Sequence, residues 1–484
     1  MKRKWIGFGF NNILILLSIA TIILLLWYQL THINAFAATW DQVDYSLALD
    51  RFDIMAMQPH FPGYPYFILG GLWIHQFIED RTASLTVFNI LFYGCAVFPI
   101  YWLARVYVSK PLSILITAMI YSSPYVLVTV NQPMSEGAGL AALWWYFWSI
   151  NRAVRKKDSL SDWIPLVLFS LLLGIRLSYL PFGIGLIYLF WKKWVEKEYS
   201  LKQIGVRIAA ALLFQLIWVF GLVVSEGSIQ GFLKLSLAFT SGHFNDWGNT
   251  AVSSDQSILD RVFTLIFDNL FWHGLSSLSF FIAAILIVFM LLSAVHFRWG
   301  IKSLTLAYIM GGSYFIWALL AQNAEKPRHI VPVVLFILFI MFITTLKKFS
   351  HPFLTFISLG LLLSHLLLSA HMIDDQANEM PASYQLAEYT QKMDKNSILY
   401  TWEETRVLHY LNVPIQHKRV MTYEVFLHDM AYYQNNRIYL TDKVIEGFLK
   451  QGKDLTGKIK KVKTLQSNPV YDPVYHEITV YEWK

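Results

Sequence analysis

The chain has 484 residues, 56% of them hydrophobic and 15% charged, with a mean hydropathy of +0.44. This balance excludes a soluble globular enzyme, because the apolar residues fall in separate runs of about 20, each able to cross a hydrocarbon core of ~30 Å. A net charge of +7 and a pI near 9.1 do not point to nucleic acid, since the basic residues gather at the ends of those runs and in the tail, as membrane orientation requires.

In chain order, Lys2, Arg3 and Lys4 precede the first apolar run, 6–30. It is too long for a signal peptide and no small-residue cleavage pattern closely follows it, so it reads as an anchor with a cytoplasmic N-terminus. The external loop after it, 31–82, carries Trp40-Asp41-Gln42-Val43-Asp44-Tyr45 and then Gln58-Pro59-His60-Phe61-Pro62-Gly63-Tyr64-Pro65. A short helix over 41–49 puts Asp41 beside Asp44 and Tyr45, three and four residues on. Two carboxylates at a low-dielectric boundary raise the proton affinity of one of them, which suits a general base; the same residues would also serve as a solvated helix start. Three prolines and a glycine fix a rigid turn that holds His60 against the apolar segment 66–74. There an imidazole can stabilise a phosphate or leaving group, or cap a loop carbonyl.

Further runs begin near Ala83, Pro111, Gly137, Trp163, Leu180, Gly205, Ser276, Lys302, His329 and Pro352. If each spans or half-spans, the count is about eleven and the C-terminus lies outside. The single cysteine, Cys95, sits inside a run, so disulfides and thiolate metal sites are not part of the design. The stretch 163–191 is either one overlong helix or two short ones folded at Arg176. Lys156/Lys157 and Lys192/Lys193 stay on one side only in the hairpin, which the positive-inside rule favours; Arg105/Lys110, Arg298/Lys302 and Lys347/Lys348 then also face the cytoplasm.

Glu136 lies where a short outer loop, 131–136, enters an apolar helix, and an acid at that depth is costly enough to be a functional candidate. The alternative is a helix start capped by Ser135 with Glu136 in the first turn. Arg176 and the pair Arg328–His329, at the opening of a late span, are cations near the outer half of the membrane; their available anions are Asp41, Glu136 or a lipid phosphate. A second outer loop, 225–275, offers His243, Asp246 and Trp247 as acceptor contacts. The tail, 373–484, alternates strands (397–401, 437–441, 477–482) with helices (403–411, 424–433) and reads as a small extracytoplasmic α/β domain. Its lysines, Lys443, Lys450, Lys453, Lys458, Lys460, Lys461 and Lys463, read as a solvated face in preference to a contact with anionic lipids or wall polymers. The fold class is thus mainly α: a polytopic helical membrane domain over 1–372 followed by that α/β domain. No cytoplasmic loop can hold a nucleotide-binding module, so an activated substrate has to arrive by the membrane.

Together, the first-loop acid with tyrosine four residues on, the His-Pro turn, the second acid between spans three and four, the basic residue at a split span and the late Arg-x-x-x-Pro resemble the GT-C-fold glycosyltransferases. Within them the chain is most similar to the protein O-mannosyltransferase and aminoarabinose-transferase branch, over roughly 1–372. Asp44 stands where relatives often have Glu or Arg, and Phe61 replaces the middle proline of His-Pro-Pro-Gly. The resemblance implies an inverting transfer of a sugar from a polyprenyl-phosphate donor to a lipid, protein or wall-polymer acceptor on the extracytoplasmic face. Asp41 is then the catalytic base, with Asp44, Tyr45, His60, Glu136, Arg176, Arg328 and His329 around the substrate. The resemblance implies no nucleotide on that face and no certain cofactor; a divalent metal stays open because Asp41, Asp44 and Glu136 could converge, although the first loop has no Asp-x-Asp pair. A transporter or lipid flippase is the rival reading, since broken helices with buried cations also line transport sites.

Overall fold

The computed structural model describes residues 2–156, 158–295, 304–348 and 352–484. Lys157, Arg298 and Lys302, which the sequence assigns to cytoplasmic loops, lie outside the described residues. Helix α1 (Lys2–Thr31) is followed by the first loop, which contains α2 (Trp40–Leu47) and α3 (Pro65–His75). Then come α4 (Arg81–Cys95) and α5 (Val97–Arg105), α6 (Lys110–Tyr121) and α7 (Pro124–Val130), and α8 (Ser135–Arg155). The chain continues through α9 (Ser159–Ile175), α10 (Ile184–Val195), α11 (Leu201–Glu226) and the second loop with α12 (Ile229–Gly242) and α13 (Ile258–Phe263). It closes the helical part with α14 (Phe280–Val295), α15 (Thr305–Ala321), α16 (Val331–Lys348) and α17 (Pro352–Asn378).

Among the described residues, five helical stretches are long and apolar enough to cross a membrane, or seven if two bent pairs each count as one span. The protein is a multi-pass membrane protein. The apolar runs of the sequence do not map simply onto straight spans: the α6/α7 pair is bent by 61° and the 258–275/α14 pair by 109°, while α9 and α15 are short. The ambiguous run, 163–191, is a hairpin of two short helices. A 3₁₀ turn, Leu177–Gly183, joins α9 to α10, and the buried Lys193 Nζ at the end of α10 donates to the Lys156 carbonyl (3.2 Å) and pairs with Asp162 (3.7 Å) at the start of α9. The two basic clusters therefore share one end of the bundle, and Arg176 sits at the other.

Helix α17 leads into α18 (Ala382–Thr390) and a five-stranded sheet of order β2-β1-β3-β5-β4. Strands β1 (Ser397–Thr401), β2 (Gln416–Arg419) and β3 (Arg437–Thr441) are parallel, and β5 (Glu477–Trp483) runs antiparallel to β3 and β4 (Ile459–Gln466). Alternation along β1 feeds two cores: Leu399 packs with Leu386 of α18 and Leu408 of α19 (Glu404–Tyr410), while Ile398 and Tyr400 pack with Phe426 of α20 (Tyr423–Met430) and Phe448 of α21 (Asp442–Lys450). The helices of this α/β unit thus cover both sheet faces, as a parallel sheet requires. The strands read at 397–401, 437–441 and 477–482 are present; β2 and β4 are additional.

The α/β unit is seated on the first loop. Val407 packs in a small apolar cluster with Ala37 and Val43, the Ala37 amide donates to Tyr384 Oη (3.0 Å), and Ser383 Oγ donates to the Ala38 carbonyl (2.9 Å).

Candidate active site

The first loop folds into a helix start that presents Asp41. Thr39 caps α2 by accepting from the Gln42 amide, and the Gln42 side chain accepts from the Thr39 amide, which closes a capping box. Asp41 then occupies the first turn and Asp44 the next. The two carboxylates have different fates: the Asp41 side chain is 36% exposed, whereas that of Asp44 is fully buried. Asp44 Oδ2 accepts from His60 Nδ1 (3.1 Å), and its Oδ1 pairs with Arg406 Nη2 (2.7 Å). Asp41 is left as the accessible carboxylate, with His60 Nδ1 at 3.9 Å and Arg328 Nη2 at 3.7 Å.

The turn predicted around His60 is tightly specified. Gly63 adopts φ +82°, and a Cβ there would lie 2.6 Å from Leu222. Tyr64 caps α3 from the left-handed region, φ 46°, an uncommon conformation for a bulky residue and one held in place by its surroundings. Its hydroxyl lies 3.2 Å from His60 Nε2, and its ring packs edge-on against buried Tyr45.

Glu136 enters at the opposite wall. It is 2% exposed, with Arg176 Nη1 at 3.0 Å from one carboxylate oxygen and Arg328 Nε at 3.0 Å from the other. The loop before it is stapled by buried Asn89, which donates to the carbonyls of Gln132 (2.7 Å) and Met134 (2.8 Å) and accepts from the Ala138 amide (2.8 Å). The cap considered for Ser135 is not formed: α8 has Met134 as its N-cap without a side-chain bond. Ser135 Oγ instead accepts from Arg176 Nη1 (2.8 Å) and lies 3.5 Å from Tyr45 Oη. Arg176 Nη2 is 3.4 Å from His329 Nδ1. Asp44, His60, Asp41, Arg328, Glu136, Arg176 and His329 therefore form one chain of charged and polar contacts, and buried Tyr45 packs against His60 and Ser135 beside it.

Of the acceptor-side candidates, His243 Nε2 lies 2.9 Å from the Ala321 carbonyl, Trp247 stacks edge-on against Phe239, and Asp246 is exposed. Phe239 in turn lies parallel to His60 with ring centres 6.1 Å apart, so this loop reaches the site through an aromatic relay. Among the described residues no group of three or more His, Cys, Asp or Glu is arranged to hold a metal ion. Asp41, Asp44 and Glu136 are instead joined through shared cations: His60 lies between Asp41 and Asp44, and Arg328 between Asp41 and Glu136.

The charges set the protonation of the loop groups. Burial pushes Asp41 up, but His60, Lys326, Arg328 and Arg176 together hold it below the usual carboxylate range. Burial pushes Asp44 up, and His60 and Arg406 offset this only in part. Burial disfavours the His60 imidazolium, yet the bond His60 donates to Asp44 and the charges of Asp41 and Asp44 outweigh it and raise His60 above its ordinary 6.5. The carboxylate with raised proton affinity is thus the buried Asp44 and not Asp41, contrary to the expectation for a general base, because the cations gather on Asp41; the site holds an ionised, accessible carboxylate beside them.

Sequence reasoning missed Lys326, Tyr64 and Arg406. Tyr64 lies in the His-Pro turn but carries no charge, and Arg406 lies 362 residues from its partner Asp44, with no local signal of that contact.

No protein-family model matches the sequence, and no curated protein does. Among solved structures, the chain matches ArnT from Cupriavidus metallidurans bound to undecaprenyl phosphate with a TM-score of 0.56 at 9% identity, over 96% of this chain and 97% of that one. The chain has the GT-C fold. The apo form of the same ArnT matches with a TM-score of 0.52 at 11% identity, over the same 96% and 97%. A looser likeness, TM-score 0.46 at 12% identity, links 90% of the chain to 69% of the Archaeoglobus fulgidus oligosaccharyltransferase. The ArnT match extends over nearly the whole chain, so the GT-C likeness takes in the α/β unit as well as the helical part that the sequence resemblance reached.

Proposed function

We propose that the protein is a membrane glycosyltransferase that moves a sugar from a polyprenyl-phosphate-linked donor to an acceptor nucleophile on the extracytoplasmic face, with inversion and with Asp41 as general base. The observation that carries this reading is the pairing of one accessible carboxylate with flanking cations. Asp41, 36% exposed, has Arg328 at 3.7 Å and His60 at 3.9 Å. In the step proposed, Asp41 takes the proton of the acceptor hydroxyl as that oxygen attacks the anomeric carbon. The bond from that carbon to the phosphate oxygen breaks, and its electron pair leaves with the lipid phosphate. Arg328, Arg176 and the His60 imidazolium stabilise the charge growing there. Glu136 keeps the two arginines oriented and lowers the cost of burying them.

Two features support a lipid-linked donor. ArnT, with the same fold, was crystallised bound to undecaprenyl phosphate. An apolar groove of about 730 Å³ between α14, α15 and α16, lined by Met290, Gly312, Phe315, Val333 and Phe336 among others, begins one turn beyond His329, where an isoprenyl tail can lie with its phosphate near Arg328. The proposed sidedness is supported by the basic residues at the α8–α10 end of the bundle, opposite the first loop and the α/β unit. The span count of about eleven belongs to the same reading, with each bent pair and each short helix of the hairpin counted.

The reading is tested by incubating membranes that contain the protein with a panel of labelled polyprenyl-phosphate sugars and determining the anomeric configuration of the product. Transfer with inverted configuration supports it. Retention of configuration contradicts the single-displacement step, and stimulated movement of intact lipid across the bilayer without transfer favours a flippase.

A further inference from the structure

The α/β unit places a cation in the reaction loop. Arg406, on α19, points Nε and Nη2 at Asp44 Oδ1 (2.8 and 2.7 Å), and Nη2 also donates to the Met57 carbonyl (2.9 Å). Met57 sits at φ 55°, a backbone conformation that a non-glycine residue keeps only when its surroundings impose it. The other oxygen of Asp44 is taken by His60 Nδ1 at 3.1 Å. A fully buried carboxylate is thus divided between an arginine of the α/β unit and the histidine beside Asp41. The guanidinium also lies over the Trp40 ring at 5.5 Å, so Arg406 touches residues on both sides of Asp41.

The helix that carries Arg406 is independently fixed. Val407 packs against Ala37 and Val43, and Tyr410 Oη lies 3.2 Å from Thr82 Oγ1. With those contacts present, a simple tether needs no buried charge pair, and a buried carboxylate deprived of its cation is strongly disfavoured. Asp44 is faced by Arg406, His60 and Asp41; His60 is faced by Asp44, Asp41, Arg176, Tyr45, Tyr64 and Phe239.

Building on the glycosyltransferase reading, we propose that Arg406 is a positioning residue: through Asp44 it fixes where His60 points beside Asp41, so that the α/β unit completes the site. The unit is then part of the catalytic architecture and not only its roof.

The test uses full-length Arg406→Gln, Arg406→Lys, Asp44→Asn, the Asp44→Asn/Arg406→Gln double variant and, as a tether control, Tyr410→Phe. Transfer is measured across pH with kcat and KM separated. Arg406→Gln is expected to lower kcat by about 10²-fold with KM little changed, the scale of a misplaced catalytic group. Its acid limb moves to higher pH, because Asp44 loses the cation that favours its ionised form. Arg406→Lys restores part of kcat, the double variant is no slower than Asp44→Asn alone, and Tyr410→Phe keeps the wild-type profile. Wild-type kcat and pH profile in Arg406→Gln, or additive losses in the double variant, overturn the proposal. A second readout needs no activity: carbethoxylation of His60 by diethyl pyrocarbonate, followed by mass spectrometry. It is expected to quicken by about threefold or more in Arg406→Gln as His60 loses protection, and unchanged labelling overturns the proposal. A wild-type protein that transfers no sugar defeats the glycosyltransferase reading instead, and the labelling then decides the placement of His60 by itself.

Discussion

Asp41 and Asp44 are alike in the sequence and differ in what surrounds them. Asp41, Asp44, His60, Glu136, Arg176, Arg328 and His329 could be picked out because charged groups at a membrane boundary are costly unless used. What could not be read was which carboxylate stays accessible, since that depends on Arg406 and His60 closing over Asp44. The raised His60 value has a consequence for activity. If the imidazolium stabilises the departing phosphate, kcat/KM is present below that value and is lost as pH rises through a midpoint above the ordinary 6.5. His60→Gln should abolish this alkaline limb, and a pH–rate profile of both proteins checks it. Glu136 counters two arginines from a site only 2% exposed. Glu136→Gln is therefore expected to destabilise the protein by about 3–5 kcal/mol, the range for removing one partner of a buried pair, measured by thermal unfolding in detergent.

At the scale of elements, the hairpin at 163–191 was legible because the positive-inside rule needs only the positions of lysines, and Lys156 and Lys193 do lie side by side. The bends between α6 and α7 and ahead of α14 were not, because apolar runs report burial and not where a helix breaks. Strands β2 and β4 escaped for a related reason. β4 reads Ile-Lys-Lys-Val-Lys-Thr-Leu-Gln and is mostly exposed, so Lys460, Lys461 and Lys463 look like a solvated face while protecting a sheet edge from pairing with other chains. The groove between α14, α15 and α16 carries its own prediction. Gly312 lines it, and a Cβ there meets nothing within 4 Å. Gly312→Leu should fill tail space without disturbing the bundle, raising KM for long polyprenyl donors while leaving short-chain analogues unaffected, as measured by steady-state kinetics with both.

For the whole molecule, the GT-C likeness and the multi-pass architecture were within reach of one sequence, because the motif residues cluster in the first loop and at span openings. The seating of the α/β unit was not, since Val407 reads as an ordinary helix residue until it meets Ala37 and Val43. Val407→Asp places a charge in that contact and is expected to reduce transfer strongly, with the protein still inserted in the membrane; paired transfer and membrane-fractionation assays check this. The proposed transfer depends most heavily on Asp41 as the base. The most direct measurement compares sugar transfer by wild type and by Asp41→Asn, equally expressed, with each donor of a lipid-linked panel. Removing the base predicts a loss of about 10²–10⁴-fold in kcat with the fold intact, because Asp41 has only loose ion pairs to give up. Equal transfer by the two proteins would contradict it.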